Sequence, residues 1–240
     1  MRKTSLKNLS KIAKILTIGS SLGGVSLAVL TASASGYTHW ASRLLYFTAQ
    51  SNIWMGLTAF VLLCFPRNKT AFQMGKGWKT AYALKYVFTV SITLTGLVFC
   101  GLLAPFCGDE YKPWTTANFL THVFAPAFAV LDFFLDENQP FVSKKQTLCC
   151  LIPPLLYSVL ASTLCYFGVD FGRGKTYPYF FLNYRSPAGI FGFSRERPFF
   201  MGEFYWLLLL GLLVWGIAWL YARLYNAIWR KGAFKGEKRR

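Results

Sequence analysis

Residues 45–65 read LYFTAQSNIWMGLTAFVLLCF. They carry no charge and are long enough to cross the ~30 Å hydrocarbon core of a bilayer as a helix. Within little more than one turn, however, stand Thr48, Gln50, Ser51 and Asn52. Each hydroxyl or amide costs free energy in hydrocarbon unless something bonds it. The stretch therefore points to a membrane bundle, and it marks a place where a polar cluster needs a structural partner or a chemical role.

The same pattern recurs along the 240 residues. Apolar runs cover about 12–31, 45–65, 83–104, 117–135, 148–168 and 204–222, which predicts six membrane spans. Hydrophobic residues make up 54% of the chain and charged residues only 15%, a balance that excludes an ordinary soluble domain. The net charge of +17 is no nucleic-acid signal, because the basic residues lie between hydrophobic spans and not on one face of a soluble module. The expected fold is an all-α polytopic membrane protein: one six-transmembrane-helix bundle over 1–222 and a basic cytoplasmic tail over 223–240.

Basic residues also orient the bundle. With the N terminus inside, the inner segments hold nineteen of twenty-six Lys and Arg, and the outer segments hold seven: Arg43, Lys112, Arg173, Lys175, Arg185, Arg195 and Arg197. The positive-inside rule thus places both termini in the cytoplasm of a multi-pass cell-membrane protein, with a bacterial plasma membrane as the expected setting. Ala32-Ser33-Ala34 after the first apolar run resembles a signal-peptidase site, but a chain with five further spans needs no removable signal, so a retained helix is the preferred reading. The six cysteines form no Cys-x-x-Cys pattern; Cys107 and Cys165 both fall near the outer face, close enough in this topology for a bridge to be considered.

Depth can be counted in such a bundle. The second span enters from outside near Leu45 and the fourth near Ala117, so Thr48 and His122 both lie roughly 5 to 8 Å below the outer edge at 1.5 Å per residue. Thr48, Ser51 and Asn52 follow i, i+3, i+4 spacing and share one helix face, whereas Gln50 points elsewhere. Pro126 lacks the N–H that would bond the carbonyl of His122, which predicts a local opening of the helix beside the imidazole. These residue types permit acyl chemistry. His122 can take the Thr48 proton, the alkoxide can attack an ester, and Ser51 or Asn52 can donate to the oxyanion. No metal or organic cofactor is needed. Asp132, ten residues beyond His122, is about 15 Å away along the helix and is expected to pair with Lys85 near the inner end.

The last outer loop contains TYPYFFLNY over residues 176–184. Folded over the mouth of the bundle, it would bring Tyr177, Tyr179 or Asn183 to the site. The plainer reading makes its aromatic residues an interfacial belt. Plainer readings exist for the helices too: threonines in membrane helices commonly bond their own i−4 carbonyl, and Ser51 and Asn52 are natural interhelical glue. His122 is the exception, since an ionisable group at that depth is a functional hypothesis by default.

FTAQSN on the second span, HVFAPAFAVLD on the fourth and YPYFFL in the last outer loop resemble the bacterial membrane-protein family called Pr-six-Pr. That family is related to the eukaryotic androgen-induced and ADTRP-like proteins. The resemblance runs from about Leu45 to Leu220, with the three motifs in the same order. It implies a multi-span threonine hydrolase that cleaves fatty acid esters of hydroxy fatty acids, with the nucleophile falling on Thr48 and the histidine on His122. A lipid-ester hydrolase with a membrane lipid as substrate is therefore the leading expectation. An acyltransferase using the same pair, and a non-enzymatic lipid-binding or transport protein, are the alternatives.

Overall fold

In hydrocarbon every backbone N–H and C=O must be bonded within its own segment, so each long apolar run is driven into a helix. The computed structural model describes residues 2–64, 75–106 and 112–237. Six helices long and apolar enough to cross a membrane follow in order. They are α1 Arg2–Leu30, α2 Phe47–Cys64, α3 Lys76–Phe106, α4 Thr116–Leu135, α5 Lys144–Tyr166 and α6 Glu203–Glu237. The chain is an all-α, multi-pass membrane protein; among the described residues there is no strand beyond one isolated bridge between Phe193 and Met201.

Helix ends differ from the hydropathy reading where polar residues continue the helix. The first starts at Arg2 and not near residue 12. The last runs to Glu237, so the basic segment continues the helix through residue 237; no proline interrupts that stretch. α5 opens with a capping box in which Ser143 and Gln146 bond each other's backbone N–H. It breaks at Cys150 and Leu151, ahead of Pro153 and Pro154, and resumes at Ile152. The pairing of Cys107 with Cys165 cannot be placed, since Cys107 lies outside the described residues.

α1 packs against both α2 and α4, and α3 closes the other side of that pair, giving a four-helix core; α6 lies along α3. α5 and α6 turn leucine-rich faces outward, with Leu155, Leu156 and Val159 on one and Leu208, Leu212 and Trp219 on the other exposed for contact with lipid. α1 is part of the core: Ala32, beside the signal-like sequence, is itself buried, and cleavage there would remove the helix that carries Lys14.

At the end of the bundle that holds the termini, four charges meet in the interior. Lys14 Nζ on α1 lies 2.6 Å from both Asp132 Oδ1 and Asp136 Oδ2. Lys85 Nζ on α3 lies 2.8 Å from Asp132 Oδ2 and from Asp136 Oδ2. Ser10 Oγ donates to Asp132 at 2.8 Å. The expected Lys85–Asp132 pair is therefore present within a neutral quartet of two lysines and two aspartates, all almost fully buried. α6 is tied to the same place, where the Tyr225 hydroxyl meets the carbonyls of Asp136 and Gln139 at 2.9 and 2.6 Å.

Removing one partner of a buried ion pair strands the other charge, at a cost of about 3–5 kcal/mol, whereas an apolar replacement of a whole pair is often near neutral. Lys85→Leu and Asp136→Leu should each lower the thermal unfolding midpoint in detergent strongly, and the double variant much less than the sum. A strictly additive double variant would contradict this account.

Candidate active site

At the opposite end, outer in the orientation favoured by the charges, α2 begins directly after a short helical turn over Trp40–Leu45. Gln50 closes that turn by donating to the Leu44 carbonyl at 3.3 Å, which accounts for its place off the common face. Thr48, one residue into α2, points across to α4.

α4 starts under a Thr115 cap, whose side chain accepts from Asn118 N. It then widens into a π-helical turn over Leu120–Phe124, closed by Ala125 N bonding Leu120 O. Pro126 is one cause, because it supplies no N–H to the His122 carbonyl. That carbonyl approaches Gly96 on α3 so closely that a Cβ there would lie 2.7 Å from it. α3 has its own π-helical turn over Phe99–Leu103 at the same level. Phe99 stacks on the His122 ring, with centroids 3.8 Å apart and planes at 24°.

The side chains that the depth count places in one layer meet directly: Thr48 Oγ1 is 3.3 Å from His122 Nε2. On the other side of the ring, Nδ1 faces the Asn118 carbonyl at 3.1 Å and Thr121 Oγ1 at 3.0 Å. A carbonyl only accepts, so Nδ1 carries the proton. The Thr121 hydroxyl donates to Ala117 O at 2.9 Å and can accept from the ring. Nε2 is left as the lone-pair nitrogen facing Thr48, the tautomer a general base requires.

Tyr179 completes the group. Its hydroxyl is 3.3 Å from Thr48 Oγ1 and accepts from Thr48 N, also at 3.3 Å. With the Thr48 proton turned to His122, the Tyr179 hydroxyl donates to Thr48 Oγ1. The ring is held in the last loop by stacking on Phe181 at 5.1 Å, by an edge contact with Tyr46 and by a tilted contact with Tyr157. Burial pushes the Tyr179 hydroxyl up to about 12, so it stays a donor across the physiological range.

Other expected members take different places. Ser51 and Asn52 are fully buried and line no cavity beside Thr48 among the described residues. Ser51 Oγ bonds Thr95 Oγ1 on α3 at 2.9 Å. Asn52 Nδ2 bridges the Thr48 carbonyl at 2.8 Å and the Thr121 carbonyl at 3.2 Å. They brace Thr48 and the histidine helix from beneath and do not face the cavity where an oxyanion would form. Tyr177 lines the cavity, but Asn183 does not; its side chain accepts from Arg185 N within its own turn. Phe99, Asn118 and Thr121 were not singled out from the sequence; Asn118 meets the ring through its backbone carbonyl, which any residue type at i−4 would offer.

Two spaces meet at Thr48. A cavity of about 390 Å³ opens toward the outer end between α1, α2, α4 and the last loop, and Thr48, His122 and Tyr179 line it. A smaller apolar crevice of about 80 Å³ runs between α3, α5 and α6 and reaches Thr48 and Tyr179 from the other side. In comparison with known proteins, no family model, curated protein or solved structure matches the chain.

Gly96→Ala tests the close approach of α3 to α4. Overpacking of this kind costs typically about 1–3 kcal/mol, so the variant should unfold at lower temperature than a Gly77→Ala control, where a Cβ meets nothing. Equal midpoints would show that the contact is not tight.

Proposed function

We propose that this chain is a threonine-type hydrolase of carboxylic ester bonds in lipids, acting at the outer leaflet of a bacterial plasma membrane. The observation that carries the reading is the Thr48–His122 contact, with Nδ1 bonded to the Asn118 carbonyl and Nε2 turned to the hydroxyl. The motif resemblance to Pr-six-Pr proteins, and through them to hydrolases of fatty acid esters of hydroxy fatty acids, supports the same reading.

His122 Nε2 takes the proton from Thr48 Oγ1 as that oxygen bonds to the ester carbonyl carbon. The carbonyl oxygen becomes an oxyanion, and the Tyr179 hydroxyl, which turns from Thr48 Oγ1 as that oxygen bonds to carbon, is the donor beside it. The carbon–oxygen bond to the alcohol then breaks, and His122 returns its proton to the leaving oxygen. Water repeats the sequence on the acyl-threonine: it gives a proton to His122, bonds to the acyl carbon, and Thr48 leaves and is reprotonated. Fatty acid and alcohol are the products.

Purified protein incubated with a fluorophosphonate probe should be labelled at Thr48, and lipid esters should be hydrolysed. Thr48→Ala and His122→Ala should each abolish both; activity surviving in both variants overturns the reading, and binding without turnover in the wild type favours a lipid-binding protein. Product analysis separates hydrolysis from acyl transfer, since only transfer yields a new ester.

Tyr179→Phe should lower kcat by about 10²-fold, the usual loss for one oxyanion donor. Its pH behaviour has a sign. The donor is the protonated phenol, lost as pH rises through a value near 12, so the Tyr179-dependent advantage should persist at about pH 10, where an ordinary tyrosine is half ionised. A ratio of wild-type to Tyr179→Phe rates that collapses by pH 10 would remove Tyr179 from this role.

A further inference from the structure

The outer end of the bundle gathers cations that neither the proposed chemistry nor the topology calls for. Arg43 and Arg173 line both the cavity at Thr48 and a wider vestibule of about 850 Å³ outside it. Lys175 lines the first and Lys112 the second. Four of the seven outer basic residues therefore converge on one mouth, on the side of the membrane where the positive-inside rule leaves Lys and Arg scarce. No aspartate or glutamate lines either space among the described residues. The neighbouring acid, Asp170, turns Oδ1 onto Gly172 N at 2.7 Å.

The two arginines are built in. Arg43 sits 4.0 Å from the centre of the Tyr37 ring and Arg173 5.8 Å from it, while Arg173 Nε donates to Ser35 O at 2.9 Å. Arg43 Nε is buried and has no hydrogen-bond partner among the described residues. The loop that presents Arg173 and Lys175 depends on Gly172, whose φ of 112° disfavours other residues and whose Cβ would fall on the Tyr37 ring. Tyr37 in turn bonds the Tyr46 hydroxyl, which donates to Phe171 O at 3.0 Å. Loop, ring and guanidinium groups form one assembly.

We propose that this mouth is a binding subsite for the anionic headgroup of a lipid, a phosphate or a carboxylate, with Arg43 and Arg173 as its principal donors and Lys112 and Lys175 as its rim. Guanidinium groups match either anion through paired N–H donors. The lipid source follows from continuity: the basic vestibule leads into the cavity at Thr48, and the apolar crevice begins on its far side. An amphiphile with its anion at the mouth would lay an ester at Thr48 and an acyl chain between α3, α5 and α6. The position of the ester rests on the hydrolase reading; the anion subsite does not.

Binding is therefore measured on the full-length Thr48→Ala protein in neutral detergent, where turnover cannot interfere. The probes are dihexanoylphosphatidylglycerol, laurate, dihexanoylphosphatidylcholine and inorganic phosphate. At least one of the two anionic lipids should bind about tenfold tighter than the phosphatidylcholine at low salt, and added salt should weaken it. Which of the two does so identifies phosphate or carboxylate as the recognised group. Arg43→Gln with Arg173→Gln should erase the preference, and the rim pair Lys112→Gln with Lys175→Gln, which leaves both arginine contacts with the Tyr37 ring in place, should reduce it several-fold. The proposal is overturned if neither anionic lipid is preferred, if the preference survives both double variants, or if inorganic phosphate binds as tightly as the lipids, which would make this a site for a free anion. In an otherwise wild-type background the same arginine variants should raise KM and leave kcat near its original value; an anionic preference in a protein that, with Thr48 intact, hydrolyses no lipid ester would count against the catalytic reading alone.

Discussion

The bundle depends on a buried ionic contact among Lys14, Lys85, Asp132 and Asp136. In a membrane, apolar side chains gain little by touching one another, because lipid tails are as apolar as leucine. Packing among the Leu and Phe side chains of α1, α3 and α4 would by itself tolerate sliding and rotation. Four charges that must find one another do not. A displacement of α4 by one turn, about 5.4 Å, would leave at least one ion unpaired in hydrocarbon. The quartet thus sets the height of α4 against α1 and α3. With it comes the height of His122, ten residues or about 15 Å farther along the same helix.

A second polar layer at the outer end uses that register. Asn52 ties α2 to α4 through two carbonyls, and Ser51 ties α2 to α3 through Thr95. Between these ties the two helices that carry His122 and Phe99 each depart into a π-helical turn. An irregular turn exposes backbone groups that hydrocarbon would penalise, and it is tolerated where neighbouring helices cover it. Here the neighbours do so: the His122 carbonyl is covered by Gly96, and its ring by Phe99. The site is loose in its helical geometry and tightly surrounded.

Much of this was legible in the chain, and the rest was hidden for definable reasons. Six spans follow from length and composition, which are local properties. The meeting of Thr48 with His122 follows from counting depth along two helices that both enter from the outer side, and Lys85 with Asp132 from matching charge at equal depth. Lys14 read only as one of the inner basic residues, because nothing local in the sequence marks which residue of α1 faces Asp132 and Asp136. The face shared by Thr48, Ser51 and Asn52 was correct, yet a face on a helix spans a wide arc: Thr48 looks into the cavity while its two companions look between helices. Within TYPYFFLNY, the choice of Tyr179 over Asn183 depends on how the loop folds back, which no periodicity encodes. The π-helical turns arise from tertiary packing, and only Pro126 hinted at one of them.

In the proposed reaction, the position of Thr48 would let so small a bundle handle a two-sided substrate. An ester has an acyl arm and an alcohol arm on either side of one carbon, and a single closed pocket would have to hold both. Here the nucleophile stands on the wall between two spaces of different character, one apolar and reaching toward the lipid-facing helices α5 and α6, the other wider, more polar and open to the outer end. In the proposed reaction the two products would then have separate ways out, the fatty acid sideways toward the bilayer and the alcohol upward past Tyr179 and the basic mouth. Water for the second half-reaction would enter by the upper route as the alcohol leaves. On this view the last loop does more than cover the bundle: by holding Tyr179 at the wall and Arg173 at the rim, it joins the reacting centre to the surface that first meets the substrate.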